Sequence, residues 1–371
     1  MNTREPSQLP DEKTNLFGLS GSEIERIVCG YGEPFYRGRQ IFRALYHRRI
    51  AHFEAMTDLR AELRERLASR FQIGYPEIRE KHGSLDGCVR YLMSFAGSEA
   101  AETVYMPEPE RVTLCLSSQA GCAVDCRFCF TALMGLRRNL IVGEILGQVY
   151  RIVRDQNLNP RARLNLVFMG MGEPLLNYDA VLDSVRILVN QEGLHIPVRR
   201  ITLSTSGIVP RIQDLAREDV RPKLAISLNA SNDEQRSALM PINRKYPLSE
   251  LMAACRAYPL RPRERLTFEY VLLDGINDSV ADALRTAELL RDLRAKVNLI
   301  PYNSGEGLPY RTPPLERTLA FEEALRGAGV PAFIRISRGR DVRAACGQLL
   351  VEGARKAITP IMRPAMLPSL R

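Results

Sequence analysis

The sequence predicts an α/β protein in which a mostly parallel sheet, with helices outside it, closes or partly closes as a barrel. Two observations predict this fold class. After residue 110, short apolar segments typical of strands alternate with longer amphipathic segments typical of helices. Conspicuous polar motifs follow several of the predicted strands, and barrels of this kind carry their functional residues at those strand ends.

A helical unit is expected before this region. Residues 1–15 are polar and are interpreted as a flexible tail, and residues 16–74 as a small helical accessory domain. Apolar residues recur at three- and four-residue spacing over 41–46, which is typical of an amphipathic helix. Thr57 and Asp58 are good N-terminal caps for a further helix.

The accessory domain is rich in arginine. Residues 35–70 hold nine arginines against four acidic residues, a local net charge of +5. Two interpretations are open, a solvated helical face or a surface that contacts the phosphates of RNA. The arginines of the first amphipathic pattern are Arg37, Arg39, Arg43, Arg48 and Arg49.

The remaining segments follow in order. Residues 75–110 are expected to form a small β extension with Asp86-Gly87 as a hairpin turn, residues 111–355 the barrel, and residues 356–371 a basic tail. Barrel strands are predicted at 112–117, 165–169, 200–204, 223–228, 267–273, 296–301 and 332–336. Amphipathic helices between them are predicted at 142–155, 180–191 and 280–293.

Composition and charge exclude several classes of protein. The 371-residue chain is 45% hydrophobic and 26% charged, which excludes global disorder. It has no run of 18 apolar residues, so no membrane-spanning helix is expected. The polar N-terminus lacks the apolar core of a secretion signal. The net charge of +9 suggests a polyanionic partner.

Cysteine spacing carries the most specific signal. Three cysteines form a CxxxCxxC pattern, Cys122, Cys126 and Cys129, in a loop directly after a predicted strand. Thiolates suit an iron–sulfur cluster or zinc. A structural zinc site needs four ligands, and no second pair of cysteines or histidines follows. An electron-transfer [4Fe–4S] cluster also takes four cysteines. Three ligands therefore favour a [4Fe–4S] cluster with one iron open to another ligand.

This pattern, with Phe128 just before the third cysteine, resembles the radical S-adenosylmethionine (SAM) superfamily. Further segments resemble the RlmN/Cfr family of radical SAM RNA methyltransferases. The resemblance implies a partial (β/α)6 radical SAM barrel with a small N-terminal helical accessory domain. It also implies one [4Fe–4S] cluster, SAM and an RNA substrate. The matching segments are 33–42, 102–105, 114–122, 169–175, 203–207, 240–243 and 344–348.

The chemical problem in this family explains why further cysteines are needed. The amidine carbon of adenine is not nucleophilic enough to attack SAM, whereas a thiolate can accept the methyl group. The resemblance implies that Cys346 becomes S-methylcysteine. It implies that Cys115 deprotonates the adduct carbon and then resolves it through a transient disulfide with Cys346, and that Glu102 is a proton acceptor. Arginines near Cys346 are expected to favour its thiolate.

The resemblance also implies the residues that contact SAM. Gly172 and Glu173 are expected to hold its amino group, because a glycine allows close approach of the backbone and a carboxylate supplies charge. Taken singly, the serines and asparagines among the other candidates are as typical of turns and caps. The remaining expected contacts are Ser204, Ser227, Leu228, Asn229 and Asn303.

Three interpretations of the function are open. The first is methylation of C2 of an adenosine in 23S rRNA, with tRNA as a further candidate substrate. The second is Cfr-type methylation of C8, since Asn229, Phe130 and Tyr302 depart from residues common in the family near the site. The third is a non-enzymatic iron–sulfur protein that binds RNA or acts as a sensor. The expected setting is a monomer in the reducing cytoplasm, with flavodoxin or ferredoxin as electron donor.

Overall fold

The computed structural model describes residues 13–159 and 162–351. The helices are α1 (Gly21–Gly30), α2 (Tyr36–Tyr46), α3 (Ala61–Arg70), α4 (Val142–Asp155), α5 (Tyr178–Val189), α6 (Val209–Ala216), α7 (Asp233–Leu239), α8 (Leu248–Ala257), α9 (Val280–Leu290) and α10 (Leu315–Gly327). The strands are β1 (Thr14–Asn15), β2 (Phe71–Gln72), β3 (Glu77–Gly83), β4 (Val89–Ser94), β5 (Ala100–Glu108), β6 (Arg111–Cys115), β7 (Gln119–Gly121), β8 (Leu136–Asn139), β9 (Leu164–Phe168), β10 (Ile201–Thr205), β11 (Lys223–Ser227), β12 (Leu266–Leu272), β13 (Ala295–Pro301) and β14 (Ala332–Ile334).

One large sheet organises the molecule. Among the described residues its strand order is β14-β13-β12-β11-β10-β9-β6-β5-β4-β3. The strands from β6 to β14 in this sheet run parallel, whereas β5, β4 and β3 extend it antiparallel. Within the described part, six parallel strands are each followed by a helix before the next parallel strand of this sheet begins. This arrangement confirms the predicted partial (β/α)6 barrel, and it brings the carboxyl ends of those strands to one mouth.

The predicted barrel elements agree closely with the observed ones. Each predicted strand overlaps an observed strand, and their ends differ by at most two residues. The helix predicted at 142–155 has these bounds, and the helix predicted at 280–293 ends at Leu290. Parallel strands covered on both faces form short apolar runs between turn residues, and this pattern locates them in a sequence.

Two predictions for the N-terminal region are wrong. Thr57 and Asp58 do not cap α3, because its N-terminal cap position is Arg60 and no side chain bonds there. Asp58 instead accepts a hydrogen bond from the Arg48 guanidinium at 2.8 Å. Residues 14 and 15 of the predicted tail form strand β1, which pairs with β2.

Three predicted segments lie partly or wholly outside the described residues. They are residues 1–12 of the predicted tail, residues 160–161 and 352–355 of the predicted barrel, and the whole predicted basic tail at 356–371. No helix in the described ranges is both long and apolar enough to cross a membrane.

The helical unit packs on the barrel through tyrosines. The Tyr150 hydroxyl on α4 donates to the Tyr46 carbonyl oxygen at the end of α2 at 2.7 Å. The Tyr46 hydroxyl accepts from the Gly18 N–H at 2.8 Å. Gly18 has a φ of +115°, and a Cβ there would lie 2.6 Å from the backbone nitrogen of Gly143. Only glycine therefore allows this close approach.

The β extension contains the predicted hairpin. β3 and β4 pair antiparallel, and the Gly87 N–H donates to the Ser84 carbonyl oxygen at 3.0 Å to close the turn. Gly87 has a φ of +83°, a conformation that glycine adopts without strain. The turn contacts the segment that leads to Cys346, since the Ser84 hydroxyl donates to Asp341 Oδ1 at 2.5 Å.

Candidate functional site

An open cavity of about 940 Å³ lies at the carboxyl ends of the parallel strands. Its wall collects residues that are far apart in the sequence and that were predicted to act together. The predicted site residues that line it are Cys122, Cys126, Cys129, Gly172, Glu173, Ser204, Ser227, Asn229 and Cys346.

Backbone contacts hold the loop that carries the three clustered cysteines. The Cys122 N–H donates to the Gly135 carbonyl oxygen at 3.0 Å, and the Cys129 N–H donates to the Cys126 carbonyl oxygen at 3.0 Å. Gly121, just before the loop, has a φ of +77°, and a Cβ there would lie 1.8 Å from the Gly135 oxygen. The chain can therefore turn into the loop only with glycine at this position.

The chemistry of these three thiols fits a multi-iron cluster. Burial raises the pKa of the Cys122 thiol to about 12 and that of Cys126 well above its ordinary value, so their thiolates need a cationic partner. No three His, Cys, Asp or Glu side chains in the described ranges converge where a single metal ion would bind. Thiols spread along one cavity wall suit a cluster, which is larger than one ion, better than a mononuclear zinc site.

Glu173 is a buried carboxylate fixed by main-chain donors. The Ser206 N–H donates to its Oε2 at 2.7 Å, and the Leu175 N–H donates to its Oε1 at 3.0 Å. Burial raises the pKa of Glu173, and the bonds from Ser206 oppose this effect. Neighbouring Gly172 has a φ of +98°, and a Cβ there would lie 2.5 Å from the Gln119 side chain. The pair can present a carboxylate and bare backbone to a bound amino group.

The other expected SAM contacts differ in the groups that they offer. The side chains of Ser204 and Ser227 line the cavity. The Leu228 side chain is fully buried and does not line it. Asn229 has a φ of +57°, which asparagine tolerates, and its Oδ1 accepts from the Val271 N–H at 2.8 Å. Asn229 thus joins two strand ends as well as lining the cavity.

Asn303 lies beside the cavity rather than in its wall. Its Nδ2 donates to the Cys346 carbonyl oxygen at 3.4 Å, and the residue is 3% exposed. Its buried Oδ1 has no hydrogen-bond partner among the described residues. Because buried acceptors are normally paired, this oxygen fits a contact with a ligand.

A second cavity of about 1070 Å³ adjoins the first. Cys346 and Cys129 line both cavities, whereas Cys115, at the end of β6, lines only the second. Both Cys115 and Cys346 are free thiols. Burial raises the pKa of Cys115, and the adjacent Cys346 raises it further. The resolving cysteine of the resemblance therefore shares a cavity with the methyl-accepting one.

The expectation that arginines make Cys346 a thiolate holds only in part. Cys346 keeps solvent-accessible surface because it faces the cavities, but it lies deep enough that burial raises the pKa of its thiol. The positive charge of Arg335 acts in the opposite direction and is outweighed.

Glu102 lines neither cavity. It lies on β5, is 1% exposed, and contacts the guanidinium of Arg90 on β4. Its Oε2 accepts from the Leu350 N–H at 2.8 Å. The carboxylate therefore ties β5 to the segment that follows Cys346.

Sequence reasoning missed a carboxylate between the two cavities. Glu269 on β12 lines both, is 6% exposed, and accepts from Asn298 Nδ2 at 2.8 Å. Burial raises its pKa, and Arg335 opposes this. A charged residue inside an otherwise apolar strand was the signal that could have found it.

Arg236 was also missed, although it organises the strand ends. It lies on α7, is fully buried, and donates to the carbonyl oxygens of Ser206, Ser227 and Leu228 at 2.7, 3.1 and 3.1 Å. Leu228 therefore contributes its carbonyl oxygen to this set of hydrogen bonds. Burial lowers the pKa of Arg236 to about 10, which keeps it charged at neutral pH.

Arg236→Met is expected to lower the free energy of unfolding by about 3 kcal/mol, because buried carbonyl oxygens lose a charged donor. Urea denaturation of the apoprotein measures this loss. Arg256→Met, at an exposed position on α8, is the matched control and is expected to change the free energy of unfolding by less than about 0.5 kcal/mol. Equal losses in the two variants would contradict the organising role of Arg236.

Comparison with known proteins gives two matches to family models. Residues 116–290 match the model of the Radical SAM superfamily. Residues 14–73 match the model of the ribosomal RNA large subunit methyltransferase N-terminal domain. The first match begins in the loop after β6, and the second spans the helical unit.

Similar proteins cover most of the chain. A protein of Koribacter versatilis named "Probable dual-specificity RNA methyltransferase RlmN" is 51% identical, over 86% of this chain and 96% of its own length. The "Dual-specificity RNA methyltransferase RlmN" of Anaeromyxobacter sp. strain Fw109-5 is 47% identical, over 93% and 92%. The crystal structure of a radical SAM methyltransferase from Sphaerobacter thermophilus is 46% identical, with a TM-score of 0.86, over 91% of this chain and 99% of that one.

Proposed function

The chain belongs to the RlmN family of radical SAM RNA methyltransferases, and from this membership we propose that it methylates C2 of an adenosine in 23S rRNA through an S-methylcysteine at Cys346. As a member of this family it is a SAM-dependent enzyme with a [4Fe–4S] cluster and an RNA substrate. We propose tRNA as a second substrate.

The position of Cys346 is the observation that carries the proposal. Cys346 lines both the cavity that contains the clustered cysteines and the cavity that contains Cys115. One thiol can therefore meet SAM on the first side and the target base on the second. A non-enzymatic iron–sulfur protein that binds RNA or acts as a sensor would not need a cysteine that lines both cavities.

Three cysteines and the Gly172-Glu173 pair are proposed to bind the cofactors. Cys122, Cys126 and Cys129 would ligate the cluster, and Glu173 would receive the amino group of SAM. When bound, the cluster supplies the electron that cleaves SAM to a carbon radical. Contact of SAM with Asn303, which lies beside the cavity, stays a prediction.

Cys346 and Cys115 are proposed to carry the methyl group and to release it. The Cys346 thiol loses its proton and its sulfur displaces the methyl group of SAM, so that a sulfur–carbon bond forms as the sulfonium bond breaks. Loss of a hydrogen atom from this methyl group, to the carbon radical made from SAM, allows its carbon to bond to C2. The unpaired electron of this adduct would return to the oxidised cluster, and Cys115 would accept the C2 proton. After Cys115 passes this proton on, its sulfur attacks the Cys346 sulfur, so that a disulfide forms as the sulfur–carbon bond breaks, and the released carbon takes up a proton to become the methyl group of the base. A proton-accepting role for Glu102 stays a prediction.

Mass spectrometry of digested rRNA tests the proposal. We expect 2-methyladenosine in rRNA from cells that contain the protein and none in cells that lack it. The appearance of 8-methyladenosine would replace the proposal with the Cfr-type reaction. Unchanged rRNA and tRNA, despite an intact cluster, would favour the non-enzymatic alternative.

RNA binding by the accessory domain is a further part of the proposal. Two arginines of this domain already form ion pairs within the protein. Arg39 pairs with Glu192 at 2.7 Å, and Arg48 pairs with Asp58 at 2.8 Å. Arg43 on α2 is exposed, and no ion pair to it is formed within the described residues. Arg43 is therefore the better position at which to test phosphate contact.

Arg43→Glu is expected to weaken RNA binding and to reduce the slope of log affinity against log salt by about 1, because one phosphate contact is lost. Fluorescence anisotropy with an rRNA fragment at several salt concentrations measures both quantities. Arg326→Glu, exposed on α10, makes the same change of charge elsewhere on the surface. If both variants bind as the wild type does, the accessory surface does not contact RNA.

We propose the setting of the enzyme from its chemistry. A cluster and free thiols need a reducing compartment, which favours the cytoplasm. The electron would come from a small donor protein such as flavodoxin or ferredoxin. The chain has no sustained heptad pattern, which favours a monomer.

A further inference from the structure

We propose that the turn of the β3–β4 hairpin positions Cys346 by holding the segment that leads into it. The contact between this turn (residues 84–87) and residues 338–341 is called the hairpin clamp below. The proposal rests on the proposed role of Cys346 as methyl acceptor. The turn residues and Asp341 line neither cavity, whereas Arg338 lines the second one, so Asp341 would act on the reaction through Cys346.

Asp341 forms the first half of the hairpin clamp. The Ser84 hydroxyl donates to Asp341 Oδ1 at 2.5 Å, and the Leu85 N–H donates to Asp341 Oδ2 at 3.1 Å. One carboxylate thus receives two hydrogen bonds from consecutive residues of the turn. These bonds lower the pKa of Asp341, so the contact is charge-assisted at neutral pH.

Asp86 forms the other half in the reverse direction. The Gly339 N–H donates to Asp86 Oδ2 at 2.8 Å. The Arg338 guanidinium donates to the carbonyl oxygens of Asp86 and Pro107. Burial works against ionisation of Asp86, but hydrogen bonds from Cys88 and Gly339 prevail and lower its pKa. The clamp therefore contains a carboxylate from each side.

The clamped segment turns tightly before it reaches Cys346. Gly339 has a φ of +64°, and a Cβ there would lie 2.8 Å from the Ala344 side chain. The Ala344 N–H donates to the Gly339 carbonyl oxygen at 2.8 Å. Cys346 follows two residues later, so little free chain separates the clamp from the thiol.

A second set of contacts fixes the chain on the far side of Cys346. The Phe130 N–H donates to the Gly347 carbonyl oxygen at 2.9 Å, and the Thr131 hydroxyl donates to the Leu349 carbonyl oxygen at 2.8 Å. These donors directly follow the clustered cysteines. Cys346 is thus held between the cluster loop and the hairpin clamp, which together set its place between the two cavities.

This geometry predicts a large effect on rate from a small displacement. A segment fixed at one end samples many more positions than one fixed at both, and a misplacement of about 1 Å can cost as much as 100-fold in rate. Asp341 is exposed, so its replacement leaves the core intact. It is also the cleaner choice for mutation, because Asp86 also accepts the Cys88 N–H within its own turn.

The test follows methyl transfer from SAM to Cys346 by mass spectrometry of the reconstituted full-length enzyme. Asp341→Ala is expected to slow this transfer on the order of tenfold without a change in the KM for SAM. Reductive cleavage of SAM to 5′-deoxyadenosine is expected to stay unchanged. Hydrogen–deuterium exchange of residues 339–350 is expected to speed up.

Two comparisons separate positioning from general damage. Asp341→Asn keeps an acceptor for Ser84 and is expected to recover part of the rate. Ser84→Ala is expected to slow the wild type but to add little to Asp341→Ala, because both remove the same contact. Asp214→Ala, on α6 and paired with Arg211 at 3.1 Å, is the control and should match the wild type.

The outcomes distinguish the clamp from the function on which it rests. A wild type that acquires the methyl group, together with an Asp341→Ala variant that acquires it equally fast, overturns the clamp alone. Faster exchange with unchanged methyl transfer overturns it as well. A wild type that acquires no methyl group on Cys346 overturns the proposed role of Cys346, and the clamp with it.

Discussion

Cys126→Ala is expected to abolish the reductive cleavage of SAM. Cys126 lies in the middle of the three-cysteine loop and lines the main cavity. Loss of a residue that merely supports a metal ligand costs about 10- to 100-fold, so loss of a ligand itself is expected to cost more than about 100-fold. Release of 5′-deoxyadenosine by anaerobically reconstituted protein with a chemical reductant measures this effect, and bound iron and sulfide should fall in parallel.

Cys255→Ala is the control for this substitution. Cys255 is 1% exposed on α8 and belongs to neither cavity, so the variant loses a buried thiol without losing a proposed ligand. It should keep its iron and its rate of SAM cleavage. Full cleavage by Cys126→Ala would exclude this loop as the cluster site.

Cys115→Ala is expected to trap a covalent complex of enzyme and RNA. The proposed reaction joins the Cys346 sulfur to the target base through a methylene group, and only attack by a second thiol on that sulfur cleaves the bond. Without Cys115, turnover should fall more than about 100-fold. A denaturing gel with labelled RNA should show a protein-sized shift that digestion of the RNA removes.

The double variant Cys115→Ala/Cys346→Ala serves as the control for the trapped complex. It keeps the cluster cysteines but lacks the sulfur through which the RNA would be bound. No shifted band is therefore expected. A band in the double variant would place the bond on another residue, and normal turnover by Cys115→Ala would remove Cys115 from the reaction.

The barrel strands could be predicted because they are short apolar runs, but the N-terminal cap of helix α3 could not be predicted in the same way. Asp58 has the side chain of a capping residue, yet Arg48 competes for its carboxylate and α3 begins without it. The outcome depends on where α2 places Arg48 relative to Asp58. Such a tertiary competition leaves no mark in local sequence.

The sequence also could not predict which atoms of the site residues make the contacts. The sequence identified the types of residue that line the main cavity, but the group of Leu228 that bonds to Arg236 is its carbonyl oxygen, which any residue offers. Arg236 was missed because an arginine in a short helix is usually solvent-exposed. Glu102 pairs with Arg90 across neighbouring strands, where Leu92 and not Arg90 lies directly opposite it. That contact depends on strand register.

The tyrosine contacts between the helical unit and the barrel have a consequence for the choice of substrate. The contacts of Tyr150 and Gly18 fix the helical unit against the barrel, and they therefore also fix the separation between Arg43 and Cys346. Under the function proposed above, an RNA that contacts both residues must place its adenosine at that distance from a second, folded part of the RNA. The proposed function then predicts that the three-dimensional shape of the RNA selects the nucleotide more than the bases next to the target do.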